Sequence, residues 1–139
     1  MELFFQFASY NWYWFGLLAL LIAVLLQYEN KKAGPSINTQ NLTRLVNKEE
    51  AVVIDLRSSA EFDKGHVVNA VNLSFEKLGK DSSELDKYKE KPVILVCKMG
   101  QSAGSIAKKL RVEGFQTYRL SGGMTEWSAQ GLPLVKGRK

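Results

Sequence analysis

Cysteine and histidine are nearly missing from this chain of 139 residues, which holds one of each, Cys97 and His66. A single cysteine excludes an internal disulfide, and one thiol with one imidazole falls short of the roughly four ligands of a structural zinc site. Any cysteine chemistry must therefore run through a free thiol. Internal repeats and low-complexity tracts are also lacking, as is any stripe of Lys and Arg interleaved with aromatic residues. The net charge of +5 is modest and scattered over the chain beyond its N-terminal segment. That pattern excludes a nucleic-acid footprint and leaves a mild attraction for anions or an anionic membrane surface. The length admits one ordinary domain of about 100–150 residues and excludes a multidomain enzyme.

Charge is absent altogether from Leu3 to Leu26, while more than half of the aromatic residues fall before residue 29. As one helix this stretch would extend about 36 Å, enough to cross a hydrocarbon core of about 30 Å. Trp12, Tyr13 and Trp14 on one side and Tyr28 on the other fit interfacial belts around the purely apolar run Phe15 to Leu26. A cleaved signal peptide fits less well, because the chain begins with Glu2 and offers no small-residue cleavage site near Leu25, Leu26, Gln27 and Tyr28. A buried core helix fits less well too, since a helix apolar on every face has no side to give to water in so small a domain. The expectation is a transmembrane helix over residues 1–30, a linker over 31–35 containing Ala33, Gly34 and Pro35, and a soluble domain over 36–139. Lys31 and Lys32 follow the span, which by the positive-inside rule puts the domain in the cytoplasm of a bacterium, the N-terminus outside and the helix in the inner membrane. Membrane lipid is then a partner. The aromatic load also leaves room for another membrane protein bound through the span, against the simpler reading that the rings line the interface.

Beyond the break the periodicity is that of a small α/β domain. Ala51 to Ile54 and Pro92 to Cys97 are short continuous apolar runs, the mark of strands buried on both faces, and Ala70 to Leu73 and Thr117 to Leu120 are weaker strand candidates. Asn38 or Thr39 can cap a helix carrying Leu42, Leu45 and Val46, and Ser58 with Glu61 forms a capping box. Ala103, Ile106, Ala107 and Leu110 share one helical face opposite Lys108, Lys109 and Arg111. This alternation predicts helices on both faces of a mostly parallel sheet.

The junction Val93 to Ser102 joins a buried strand through a tight loop to an amphipathic helix, and ligands of open α/β sheets bind at such strand ends. Cys97 opens that loop. Its sulfur is expected inside a ring of backbone N–H groups from Lys98, Met99, Gly100, Gln101 and Ser102, at the positive end of the next helix, an arrangement that favours a thiolate. Gly100 lets the backbone turn, and Lys98 adds a positive charge. A lone cysteine ending a strand is more often inert packing, and only the loop context argues otherwise.

Three motifs make the part from Ser36 onward resemble the rhodanese-like domain family. Asp55, Leu56, Arg57, then Glu61, Phe62, Gly65, His66 and Ala70, Val71, Asn72 are similar to its D-x-R, E-F-x-x-G-H and A-x-N pattern. Cys97 to Ser102 is similar to the C-x-x-G-x-S loop of single-domain sulfurtransferases, and Gly122, Gly123, Met124 and Trp127 to a G-G-M-x-x-W signature. The resemblance implies a five-stranded parallel sheet flanked by helices and a catalytic Cys97 that cycles through a persulfide without any cofactor or metal. It implies scaffold roles for Asp55, Arg57, His66 and Trp127, Asp55 and Arg57 bracing the active-site end of the sheet.

Many active members of that family carry Arg at the last loop position or the next, where this chain has Ser102 and Ala103. Thiosulfate is therefore expected to be a poor donor. A phosphatase or arsenate reductase with a C-x5-R cradle is excluded, because position 103 is Ala. The expected activity is a membrane-anchored sulfurtransferase that takes sulfur from a small donor and hands it to a thiol or cyanide. Its rivals are a membrane-tethered adaptor with the same fold and no catalysis, and a redox sensor acting through reversible oxidation of Cys97.

Overall fold

The computed structural model describes residues 1–137, so Arg138 and Lys139, at the end of the expected domain, lie outside the described residues. The chain divides into two compact units, Met1–Lys31 and Lys32–Lys139.

The first unit holds two helices where the sequence suggested one: α1 is Glu2–Tyr10 and α2 is Trp12–Lys32. Asn11 separates them. Its backbone N–H and its side-chain amide both donate to the carbonyl of Phe7, at 3.0 and 2.9 Å. This is how a side chain of that kind competes with continued helix. The apolar stretch long enough to cross a membrane is consequently Trp12–Glu29, within α2 alone, and no part of it is buried by the protein. At about 1.5 Å per residue the 21 residues of α2 extend about 31 Å.

The second unit is a five-stranded sheet, all parallel, built from β1 (Ser36–Ile37), β2 (Val52–Asp55), β3 (Val71–Asn72), β4 (Val93–Val96) and β5 (Thr117–Leu120) in the spatial order β1-β5-β4-β2-β3. Helices α3 (Thr39–Glu49) and α7 (Gly123–Ala129) pack on one face. The other face is covered by α5 (Phe75–Lys80), a 3-10 helix over Ser83–Tyr88, and α6 (Ala103–Val112), while α4 (Ser59–Lys64) follows β2. The central strand shows why its sequence is apolar throughout. Val93 and Leu95 enter the core on the α6 side, Ile94 and Val96 that on the α7 side, and all four are fully buried. Burial of each such side chain stabilises the fold by about 1.5–3 kcal/mol.

Local signals place the helices. Asn38 caps α3 by accepting from the Asn41 N–H at 2.8 Å, and Ser58 caps α4 by accepting from the Glu61 N–H at 3.3 Å. Of the residues expected to form a linker, Lys31 and Lys32 complete α2. Ala33 is buried in the core, the Gly34 carbonyl accepts from Arg119 Nη2 at 3.2 Å, and that of Pro35 from the Arg119 N–H at 3.1 Å. Residues 33–35 thus form part of the edge beside β5. Composition marks the break there but carries no sign of this packing.

Candidate active site

β4 is where the chain changes direction across the sheet: β2 and β3 lie on one side of it, β5 and β1 on the other. The space beyond its carboxyl end is the position where open α/β sheets bind ligands. Cys97 occupies it, as the residue after β4, and is 3% exposed. The side chain packs against the α6 core, which includes Ala103 and Ile106. The loop turns through Gly100 at φ 86°, and the Gly100 N–H donates to Cys97 Sγ at 3.0 Å. Lys98, Met99, Gln101 and Ser102 are exposed. Ser102 stands at the N-terminus of α6, where its side chain caps nothing.

Residues far along the chain hold this loop. The N–H of Met124 donates to the Cys97 carbonyl and that of Thr125 to the Lys98 carbonyl, both at 2.9 Å, and Thr125 Oγ1 donates to Lys98 as well, at 2.9 Å. The first turn of α7 can approach so closely because Gly122 and Gly123 both take positive φ, 74° and 56°. A Cβ on Gly123 would lie 2.8 Å from the Gly100 nitrogen, 2.9 Å from the Lys98 carbonyl carbon and closer still to the Cys97 carbonyl oxygen. In the sequence the one signal for the Thr125 contact is the glycine pair Gly122 and Gly123, which follows Ser121 after the end of β5, the strand adjacent to β4.

Asp55 and Arg57 form a second bracket at the same end of the sheet. Asp55 is fully buried, and Arg57 meets it through Nε at 3.0 Å and Nη2 at 2.8 Å while Nη2 also donates to the Gly65 carbonyl at 2.7 Å. Asn72 Nδ2 donates to the carbonyls of Asp55 and Arg57, at 3.2 and 2.9 Å, tying β3 to the same turn. His66 is buried with its ring stacked on Phe62 at 3.7 Å and Nδ1 2.8 Å from the Phe62 carbonyl, and its backbone pairs with Val135 in both directions. Trp127 Nε1 donates to the Pro133 carbonyl at 3.0 Å. His66 and Trp127 thus fasten the C-terminal segment to the domain.

A groove of about 450 Å³ is lined by Lys98 of the loop, by Met124 and Thr125 of α7, and by Arg57, Glu61 and Lys64. Lys64 carries no signal in the sequence, because an exposed charge on a short helix is ordinary, while the sequence marks Glu61 only through the capping box and the motif it shares with Phe62, Gly65 and His66. Among the described residues no group of three or more His, Cys, Asp or Glu side chains could hold a metal ion.

The fold agrees with the comparisons. Residues 38–130 match the rhodanese-like domain family, and the chain belongs to it. It is 38% identical over 125 residues to the uncharacterized protein YibN of Escherichia coli K12, covering 87% of each chain. It is 40% identical over 86 residues to the thiosulfate sulfurtransferase GlpE of Coxiella burnetii, covering 61% of this chain and 78% of that one. Among solved structures, the rhodanese-related protein of Thermoplasma volcanium superposes with a TM-score of 0.67 at 23% identity, over 74% of this chain and 99% of its own.

Proposed function

We propose that this protein is a sulfurtransferase in which Cys97 accepts a sulfane sulfur as a persulfide and passes it to a thiol. The observation that carries the reading is the Gly100 N–H aimed at Cys97 Sγ within a loop that opens α6. Donated N–H groups and a helix N-terminus stabilise negative charge on sulfur, both on the attacking thiolate and on the persulfide that follows. Likeness to GlpE supports the chemistry. The thiolate attacks the outer sulfur of the donor and the donor's remainder leaves with the electron pair, as sulfite does from thiosulfate. Mass spectrometry of the intact protein after thiosulfate and, separately, polysulfide is expected to show one added sulfur atom. An unchanged mass with both donors would remove the proposal.

Donor choice follows from the loop. Ser102 and Ala103 supply no guanidinium, so thiosulfate is expected to load Cys97 more slowly than polysulfide does. Ser102→Arg should lower the Michaelis constant for thiosulfate by about fivefold, the effect of one added charge-assisted contact, and change polysulfide loading less. Equal gains with both donors would contradict this account of the loop.

The helical segment is read as a membrane anchor, supported by the length and composition of α2. Full-length protein should resist carbonate extraction from membranes, and a version starting at Ser36 should fractionate as soluble and folded. With Lys31 and Lys32 on the cytoplasmic side of a bacterial inner membrane, the domain should survive protease added to spheroplasts. A second reading, a tethered adaptor, has one observation in its favour. The similarity to YibN is longer than the unit Lys32–Lys139 and so reaches into the helical segment, as it would if that segment served more than tethering.

A further inference from the structure

Resting on the reading of α2 as a membrane anchor, we propose that α1 is a second membrane element that does not cross: it lies flat in the lipid interface where the span begins, its apolar face against the acyl chains and its polar row toward water. The break between the helices is the first argument. Asn11 sits at φ −113° and ψ 24°, outside the helical well, so α1 ends there and α2 starts afresh at Trp12. Length is the second. α2 alone extends about 31 Å and fills a hydrocarbon core of about 30 Å, leaving none of it for α1 as a continuation. With 9 residues, about 14 Å, α1 is too short to cross by itself. Side-chain pattern is the third. Glu2, Gln6 and Ser9 stand at i, i+4 and i+7 and share one face, while Phe4, Phe7 and Ala8, at i, i+3 and i+4, share the opposite one, with Leu3, Phe5 and Tyr10 on the flanks. The span shows no such division, since Phe15 to Leu26 is apolar on every side.

The apolar face of α1 has no cover of its own. None of its residues is buried against the described part of the protein, and Leu3, Phe4, Phe5, Phe7 and Tyr10 are all exposed. Lipid is the occupant because the surroundings of α2 begin one residue away, and because Trp12, Tyr13 and Trp14 at the junction are ring types that settle at headgroup level. α1 carries no Lys or Arg, so burial of apolar surface holds it, and attraction to anionic headgroups contributes nothing.

The test uses the full chain with Cys97→Ser, so that one cysteine placed in α1 carries the only nitroxide label. The purified protein is reconstituted into vesicles of phosphatidylcholine with phosphatidylglycerol. Electron paramagnetic resonance then reads the depth of each label from its collisions with oxygen and with a water-soluble nickel chelate. Gln6→Cys and Ser9→Cys should report water, whereas Phe4→Cys, Phe7→Cys and Ala8→Cys should report a site about 5–10 Å into the boundary between headgroups and acyl chains. Depth that changes steadily from Glu2 to Trp12 would make α1 a continuation of the span, and labels that all report water would leave it unattached. Either result overturns the proposal and leaves the anchor standing. A periodic pattern found in native membranes but not in these vesicles points to a membrane protein as the occupant and overturns it as well. Deletion of Glu2–Tyr10 should leave the chain resistant to carbonate extraction, and release of that variant alone would assign α1 to the span and refute the proposal. Release of the full chain by carbonate removes the anchor, and the placement of α1 with it.

Discussion

Cys97→Ser is expected to take up no sulfur from any donor and to lose turnover by about 10⁴-fold or more, the usual scale for removal of a nucleophile. The protein should remain folded. A hydroxyl is smaller than a thiol and can accept the Gly100 N–H that now reaches Sγ, so the buried site keeps a hydrogen bond and the cost in stability should stay near 1 kcal/mol. Mass spectrometry and a thermal melt on one sample separate these two outcomes. Sulfur bound by the serine variant would mean that loading occurs outside the loop, and the chemistry proposed for Cys97 would be abandoned.

The same substitution separates enzyme from adaptor in a cell. Sulfur transfer requires the thiolate and tolerates an unrelated span in place of residues 1–28, because an anchor contributes only local concentration. An adaptor acting through its helices shows the reverse dependence. Complementation of a deletion strain by both variants therefore reads the two roles independently.

Much of this architecture is legible in the sequence, and the exceptions have physical causes. The apolar run ending in Cys97, the helical face Ala103, Ile106, Ala107 and Leu110, and the caps Asn38 and Ser58 are local signals, and the structure uses each of them locally. β1 left no signal because Ser36–Ile37 is two residues long, and its place is set by pairing with Arg119 and Leu120 of a distant strand. Asn11 was a visible polar residue in the apolar N-terminal run. Its side chain's return to the Phe7 carbonyl, which divides α1 from α2, depends on a rotamer that composition does not encode. At the candidate site, the loop cysteine and its glycine could be read directly. The groove could not, because Glu61, Lys64 and Thr125 become neighbours only when α4 and α7 are brought to the carboxyl end of β4.

The glycine pair at the start of α7 offers the sharpest test of how the loop is built. Gly123→Ala introduces a methyl group at φ 56°, where an L-residue costs about 1–2 kcal/mol, and drives it into backbone atoms of Cys97, Lys98 and Gly100. Backbone in a loop fixed by the Met124 and Thr125 N–H groups cannot yield as the end of a side chain can. The clash adds about 1–3 kcal/mol or opens the loop. A total loss of about 2–5 kcal/mol is expected, with sulfur loading slowed at least about tenfold because the Gly100 N–H leaves Cys97 Sγ. Gly131→Ala supplies the comparison. Gly131 has φ 67° and nothing within 4 Å of a Cβ, so the variant carries the conformational cost without the clash. It should lose only that cost, about 1–2 kcal/mol, and load sulfur at the wild-type rate. Two glycine variants with equal losses would show that the backbone angle alone matters. The close approach of α7 would then no longer explain how the cysteine loop keeps its shape.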